Sequence, residues 1–285
     1  MGLTKILNSM PFHVNKITMK RSILLLFVVA FLLQCTTVPI TGRKQFNIVK
    51  DETVLPASFA QYQGFLKENK LSDDAKATAQ IKDIGARVSK AVDKFMRNNG
   101  MVKEADSYEW EFNLVQDNTV NAWCLPGGKV VFYTGILPIC KNEDGIAAVM
   151  GHEVAHAFAK HGQERMSQGQ LQALGGLAVA YGTRNDENTA IWNAAYGLGS
   201  QVGVMLPFSR KHETEADKLG LVFMIMAGYN GEEAAEVWVR MSERAKGKKA
   251  PPQFLSTHPS NQSRIETLRA YLPEAKRLAA QFNQQ

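Results

Sequence analysis

Apolar and polar positions follow two different periods along this chain, and each change of period marks an element. From about Ala57 to Arg97 the apolar residues Ile81, Ile84, Val88 and Val92 recur at spacings of three and four, the pattern of a helix with one buried face. Asn98-Asn99-Gly100 stops it. From Trp110 the period becomes two, with Trp110, Phe112 and Leu114 alternating with Glu111, Asn113 and Val115. Turns at Asp117-Asn118 and Pro126-Gly127-Gly128 then predict three short strands ending at Tyr133, the last two forming a hairpin. Asn142 or Asp144 caps a further helix running to His161, with Gly162 as its stop.

The second half reads as helical. Leu171–Ala180 and Ala190–Leu206 are small-residue apolar stretches separated by a polar segment, each too short to span a bilayer. They predict a helical hairpin that covers the domain and ends at Pro207. Ser209 or a neighbour opens the next helix, which Gly228 closes. Asn230 with Glu233 forms a capping-box pattern for another, a basic loop follows at Lys246–Lys249, and Ser263 to Phe282 is a final amphipathic helix.

At 285 residues, with 45% hydrophobic and 21% charged residues, the chain has ordinary globular composition. Its +6 net charge is mostly a property of its first 34 residues, which hold Lys5, Lys16, Lys20 and Arg21 and no acid. The remainder carries 29 basic against 27 acidic residues, which argues against a nucleic-acid partner. The first segment has the layout of an export signal: Met19-Lys20-Arg21, then the apolar run Ile23–Leu33, then Gln34-Cys35. It resembles a bacterial lipobox, which implies lipidation of Cys35, attachment to membrane lipid and a location in the cell envelope facing the periplasm, at the outer membrane. Gln34 departs from the usual small residue before the cysteine, and a mitochondrial presequence is the alternative. The expected organisation is a signal over 1–34, a tether over 35–56 and one domain over 57–285. Cys124 and Cys140 leave a disulfide or two free thiols open.

The chemistry concentrates in His152-Glu153-Val154-Ala155-His156. Histidines four apart share one helix face and can aim both imidazoles at one cation. Glu153, about 100° around the helix, sits where a general base for attacking water belongs. Ile146, Ala147, Val149, Ala155, Ala157 and Phe158 make this helix apolar on several sides. Its histidines and carboxylate are therefore buried and need partners, which a metal supplies. A catalytic zinc takes three protein ligands and keeps one position open. His161 falls roughly 140° from His156 on a helix and is read as a helix C-terminal residue facing the dipole. Glu213 and Asp217, four apart on the next major helix, fit better: Glu213 as third ligand, Asp217 holding the far nitrogen of a ligand histidine. Glu215 points elsewhere and is expected in solvent.

His-Glu-Val-Ala-His, followed by the segment Leu206–Asp217 with its Glu-x-x-x-Asp, resembles the M48 family of gluzincin metallopeptidases. Asn121-Ala122-Trp123-Cys124-Leu125-Pro126-Gly127-Gly128-Lys129, Ser256-Thr257-His258-Pro259 with Arg264, and Val38-Pro39-Ile40-Thr41-Gly42-Arg43-Lys44-Gln45 extend the likeness over about Val38 to Ala270. The resemblance implies an α+β, mostly helical, minigluzincin-like domain with a small β-sheet edging the cleft. It further implies one zinc per chain and endopeptidase action on unfolded or damaged envelope proteins. Asn121 and Ala122 would lie on an edge strand that binds extended peptide by strand addition. His258 would either stabilise the oxyanion or occupy the open metal position in a latent form, with Arg264 supporting the pocket. The competing class is a non-catalytic zinc lipoprotein acting as scaffold or chaperone, which would not need Glu153.

Overall fold

The computed structural model describes residues 35–246, 252–259 and 262–284. The expected signal over 1–34 and most of the basic loop after Lys246 lie outside the described residues.

The described chain begins with a small antiparallel pair, β1 (Cys35–Thr37) and β2 (Lys44–Phe46). Helix α1 (Asp51–Glu68) follows. The stretch expected as a tether thus carries β1, β2 and the first turns of α1, with Val38 buried in the main core. Helix α2 (Ala75–Asn98) is capped by Asp74, whose side chain accepts from the Ala77 amide, and buries the Ile81, Ile84, Val88 and Val92 stripe. After the short α3 (Val102–Asp106) come β3 (Glu111–Val115), β4 (Ala122–Leu125) and β5 (Lys129–Tyr133).

The three strands form one mixed sheet in the order β3–β5–β4. β4 and β5 are the expected hairpin, whose turn holds Gly127 and Gly128 at positive φ (83° and 88°). β3 pairs in parallel with β5, leaving β4 on the edge. Alternation divides the side chains as its period requires. Phe112, Leu114, Val130 and Phe132 enter the main core, while Val115, Val131, Trp123 and Tyr133 pack with Tyr62 and Phe65 of α1.

Short α4 (Leu137–Cys140) leads into α5 (Glu143–Phe158), capped by Asn142 accepting from the Gly145 amide at 2.8 Å. The stop is not Gly162. Lys160 takes a left-handed conformation (φ 53°) that breaks the helix, and α6 (His161–Gly182) begins at once. Next come α7 (Thr189–Ser200) and α8 (Leu206–Met226), then α9 (Glu233–Ala245), α10 (Gln253–Thr257) and α11 (Gln262–Gln284).

Two expectations about the hairpin need correction. It does not cover the domain: α6 is buried only near its start, α7 buries none of its described residues, and Leu174, Leu177, Tyr181, Ile191, Trp192 and Leu198 are exposed. The two helices hold one another, with the Tyr196 hydroxyl donating to the Gln172 carbonyl and the Gln172 amide to Ser200 Oγ. Nor does Pro207 end the hairpin. A π turn over Gln201–Met205, in which the Leu206 amide bonds the Gln201 carbonyl, carries the helix on into α8. No helix among the described residues is long and apolar enough to cross a membrane.

At the centre α5 packs against α8 and is flanked by α2 and α9. The two central helices meet through Gly151 and Gly220. A Cβ on Gly151 would lie 2.6 Å from the Gly220 carbonyl oxygen, and one on Gly220 2.7 Å from the Gly151 carbonyl carbon. Only glycine permits this approach, and it sets the spacing between the His152 helix and the Glu213 helix.

Candidate active site

The approach of α5 to α8 brings together residues far apart in the chain. His152 and His156 project from one face of α5, Glu213 and Asp217 from one face of α8, and His258 enters from the end of α10. His152 Nε2 lies 3.1 Å from His156 Nε2, 3.2 Å from His258 Nδ1 and 3.4 Å from Glu213 Oε2. Glu213 Oε1 lies 3.4 Å from His156 Nε2, and His258 Nδ1 is 3.1 Å from Glu213 Oε2. One donor atom from each of these four residues falls within 4.8 Å of all the others.

This set fits a divalent cation such as zinc. Tetrahedral ligands at about 2.0–2.1 Å stand roughly 3.3 Å apart, matching the observed separations. Three imidazole nitrogens and a carboxylate converging on one point have too few protons to satisfy each other. The charges agree. Burial opposes ionisation of Glu213, but His156, His152 and His258 hold its carboxyl far below the usual range. Burial also opposes a charge on His152, yet Asp217 and Glu213 push its imidazole up to about 9. The carboxylates thus demand a positive charge at the point where the donors meet.

The supporting contacts are direct. Asp217 Oδ1 lies 3.0 Å from His152 Nδ1, fixing the ring so that Nε2 faces the site. Arg264, on α11, places a bidentate fork on Asp217 (2.7 Å to each oxygen), reaches Glu213 Oε2 at 3.1 Å, and stacks 3.8 Å over the Trp238 ring. Phe254 stacks on His258 with ring centroids 4.7 Å apart.

Glu153 is 2% exposed, and its Oε1 has no hydrogen-bond partner, with His258 Nε2 standing 3.5 Å away. Burial raises its pKa above the ordinary carboxyl value, opposed by His258 and His152. A buried carboxylate with a free oxygen and raised proton affinity is suited to take and return a proton. Asn121 is buried immediately before β4, its carbonyl accepting from the Tyr133 amide, and Ala122 begins the edge strand beside α5. A cleft of about 580 Å³ opens between β4, α1 and the start of α6. Val54, Ala57, Leu125, Pro126 and Met166 line it, together with His156. Cys35 starts β1, and Cys124 and Cys140 are both free thiols.

Two residues lie where the sequence did not place them. His161 opens α6 rather than ending α5, is fully buried, and bonds Glu215 at 2.8 Å. Glu215 is buried rather than solvated, because β1–β2 and the start of α6 close over that side of α8. Sequence reasoning also missed His212, Glu164 and Arg43. His212 donates to Glu164 at 2.9 Å and stacks on His161, while Arg43 pairs with both Glu164 and Glu215. The available signal was Glu164, three residues after His161 and so on the same helix face.

The model of peptidase family M48 matches residues 82–272. The chain is 34% identical over 240 residues to the mitochondrial metalloendopeptidase OMA1 of Schizosaccharomyces pombe, covering 84% of this chain and 67% of that protein. It is 27% identical over 271 residues to human mitochondrial metalloendopeptidase OMA1, covering 91% of this chain and 50% of the relative. It is 26% identical over 178 residues to the beta-barrel assembly-enhancing protease of Escherichia coli, covering 59% and 36%. The chain therefore spans between about a third and two thirds of the length of these relatives.

Proposed function

The chain belongs to peptidase family M48, and from that premise we propose that it is a zinc-dependent endopeptidase acting on unfolded or damaged proteins at a cell envelope. The observation that carries this reading is the pairing of a four-donor cation site with the unpartnered Oε1 of Glu153.

His152, His156 and Glu213 would hold the ion, with Asp217 and Arg264 keeping His152 and Glu213 in place. A zinc ion held there would supply Lewis acidity for peptide hydrolysis near neutral pH. Glu153 would take the proton of the attacking water at its free oxygen and return it to the leaving amine. The backbone of Ala122, at the open edge of β4, would bind the substrate in extended form, with Asn121 beside it tied to β5 through its carbonyl. The apolar cleft beyond β4 would take a side chain next to the scissile bond. His258 supports a closing role, because its Nδ1 stands as the fourth donor where water and substrate must enter. It has to withdraw for turnover.

The test is Glu153→Gln. Zinc content is expected to persist while cleavage of an unfolded casein falls to background; retained cleavage would sink the mechanism and leave a zinc-binding scaffold.

We further propose that Cys35 is lipidated and holds the domain at a periplasm-facing membrane surface, from the sequence around it. The names of the OMA1 relatives favour a second reading, a mitochondrial location. Acyl labelling that disappears in Cys35→Ser supports the first; labelling that survives it, or none at all, supports the second.

A further inference from the structure

The two histidines of α5 are oriented in different ways. His152 meets a carboxylate directly at Nδ1. His156 Nδ1 instead meets another imidazole nitrogen, His161 Nδ1, at 2.9 Å. Two ring nitrogens bond only if one carries the hydrogen. Because His156 turns Nε2 toward the cation position, its ligand form must carry the proton on Nδ1 and donate it to His161. His161 must then hold its own proton on Nε2, and that atom faces Glu215 Oε2 at 2.8 Å. One set of tautomers satisfies the whole chain: His156 donates to His161, which donates to Glu215.

Glu215 is held from outside its own helix. The Thr41 hydroxyl donates to Oε1, and Arg43 Nε donates to Oε2 at 2.7 Å. The same guanidinium turns its other two nitrogens onto Glu164, at 3.1 and 2.8 Å. Glu164 also accepts from His212 Nε2, and the His212 ring lies flat on His161, centroids 4.3 Å apart and 17° from parallel. His161, Glu164 and His212 are fully buried, so no water competes for these bonds. An ammonium could not replace the fork, which engages two carboxylates on different helices at once.

We infer that Arg43, on the turn between β1 and β2, is a positioning residue for the metal site: by holding Glu215 it sets the tautomer of His161, and through it the ring of the ligand His156. This rests on the reading of the four-donor site as a zinc site. It makes the β1–β2 pair part of the metal centre although it contributes no ligand.

The test is zinc affinity of the full chain, measured by competition with a chromophoric chelator below the melting temperature of every variant. The visible spectrum of the cobalt-substituted protein is recorded beside it. Arg43→Gln and His161→Phe are each expected to weaken zinc binding by about 10- to 100-fold and to alter the cobalt bands. Val38→Ala, which loosens the same segment by a core cavity without touching Glu215, should lower the melting temperature but leave zinc affinity within about threefold. Because the effect of Arg43 passes through His161, adding Arg43→Gln to His161→Phe should weaken binding no further. Wild-type affinity in Arg43→Gln, an equal loss in Val38→Ala, or additivity in the double variant would each overturn the inference. Failure of the wild-type chain to bind zinc would instead refute the metal reading itself.

Discussion

Replacing Gly151 by alanine tests how closely the two central helices must approach. The new Cβ would sit 2.6 Å from the Gly220 carbonyl oxygen and 3.3 Å from the Gly220 Cα. Ordinary contact needs about 3.4 Å, so α5 and α8 must part by roughly 0.8 Å. Overpacking of this kind costs about 1–3 kcal/mol, while alanine in place of glycine within a helix returns up to about 1 kcal/mol. With the full return, the net loss is up to about 2 kcal/mol, a melting temperature lower by up to roughly 8 °C for a chain of this size. The functional loss should be larger in proportion. Gly151 adjoins His152, and Gly220 lies three residues beyond Asp217, so the same parting separates the histidines from Glu213. Metal–ligand distances tolerate only about 0.2 Å, so zinc affinity should fall by at least about tenfold. Gly64→Ala in α1, where an added Cβ meets nothing within 4 Å, is the control and should stabilise by up to about 1 kcal/mol. The assays are thermal unfolding and chelator competition. A Gly151→Ala protein that melts and binds zinc like the wild type would refute the close-approach reasoning.

Removing zinc with a chelator should lower the melting temperature and restoring it should raise it; free zinc at about 100 times its dissociation constant corresponds to about 2.7 kcal/mol. A melt indifferent to zinc counts against the site. The metal-free protein should also be acid-labile in two steps. Burial, opposed by the bond to Glu215, depresses His161 to about 4, so the unfolded chain binds its proton first and stability falls as pH drops from about 6.5 to about 4. Burial opposes ionisation of Glu164, but His212 and Arg43 outweigh it and hold the carboxyl at about 2. The stability it contributes is complete above about pH 4.5 and is lost toward pH 2. His161→Phe should make the upper step shallower in melting curves taken across pH, leaving the share of His156, which burial also holds well below its ordinary value; an unchanged slope there would contradict the assignment. His258→Ala should speed hydrolysis of a short unfolded peptide while weakening zinc binding modestly, and a hundredfold slower rate would instead assign His258 to transition-state stabilisation.

The helix periodicities were legible because they are local. His152, Glu153 and His156 are placed by 3.6 residues per turn, and so are Glu213 and Asp217; the structure brings His152, His156 and Glu213 to one point, with Asp217 behind His152. The strand alternation and the Pro126-Gly127-Gly128 turn were equally local, whereas the parallel pairing of β3 with β5 depends on packing against α2. Glu215 was misread for a physical reason: a charge on the helix face away from the ligands is ordinarily in water. Here that face is covered by Arg43, 172 positions earlier, and by His161, 54 positions earlier, which no local pattern encodes. Pro207 was a strong stop signal overridden by a π turn. The small apolar residues of α6 and α7 predicted helices correctly, but periodicity does not say against what an apolar face packs.

The open edge of β4 carries a kinetic consequence. On the proposed reading a substrate must lend the site several residues of backbone whose hydrogen bonds are not already in use. A folded protein has none to lend until it opens locally, so its cleavage would follow the fraction of time it spends open. Each 1.4 kcal/mol of local stability in a client would then slow its destruction about tenfold, whatever its sequence. Turnover in such a system is graded by the victim's own instability.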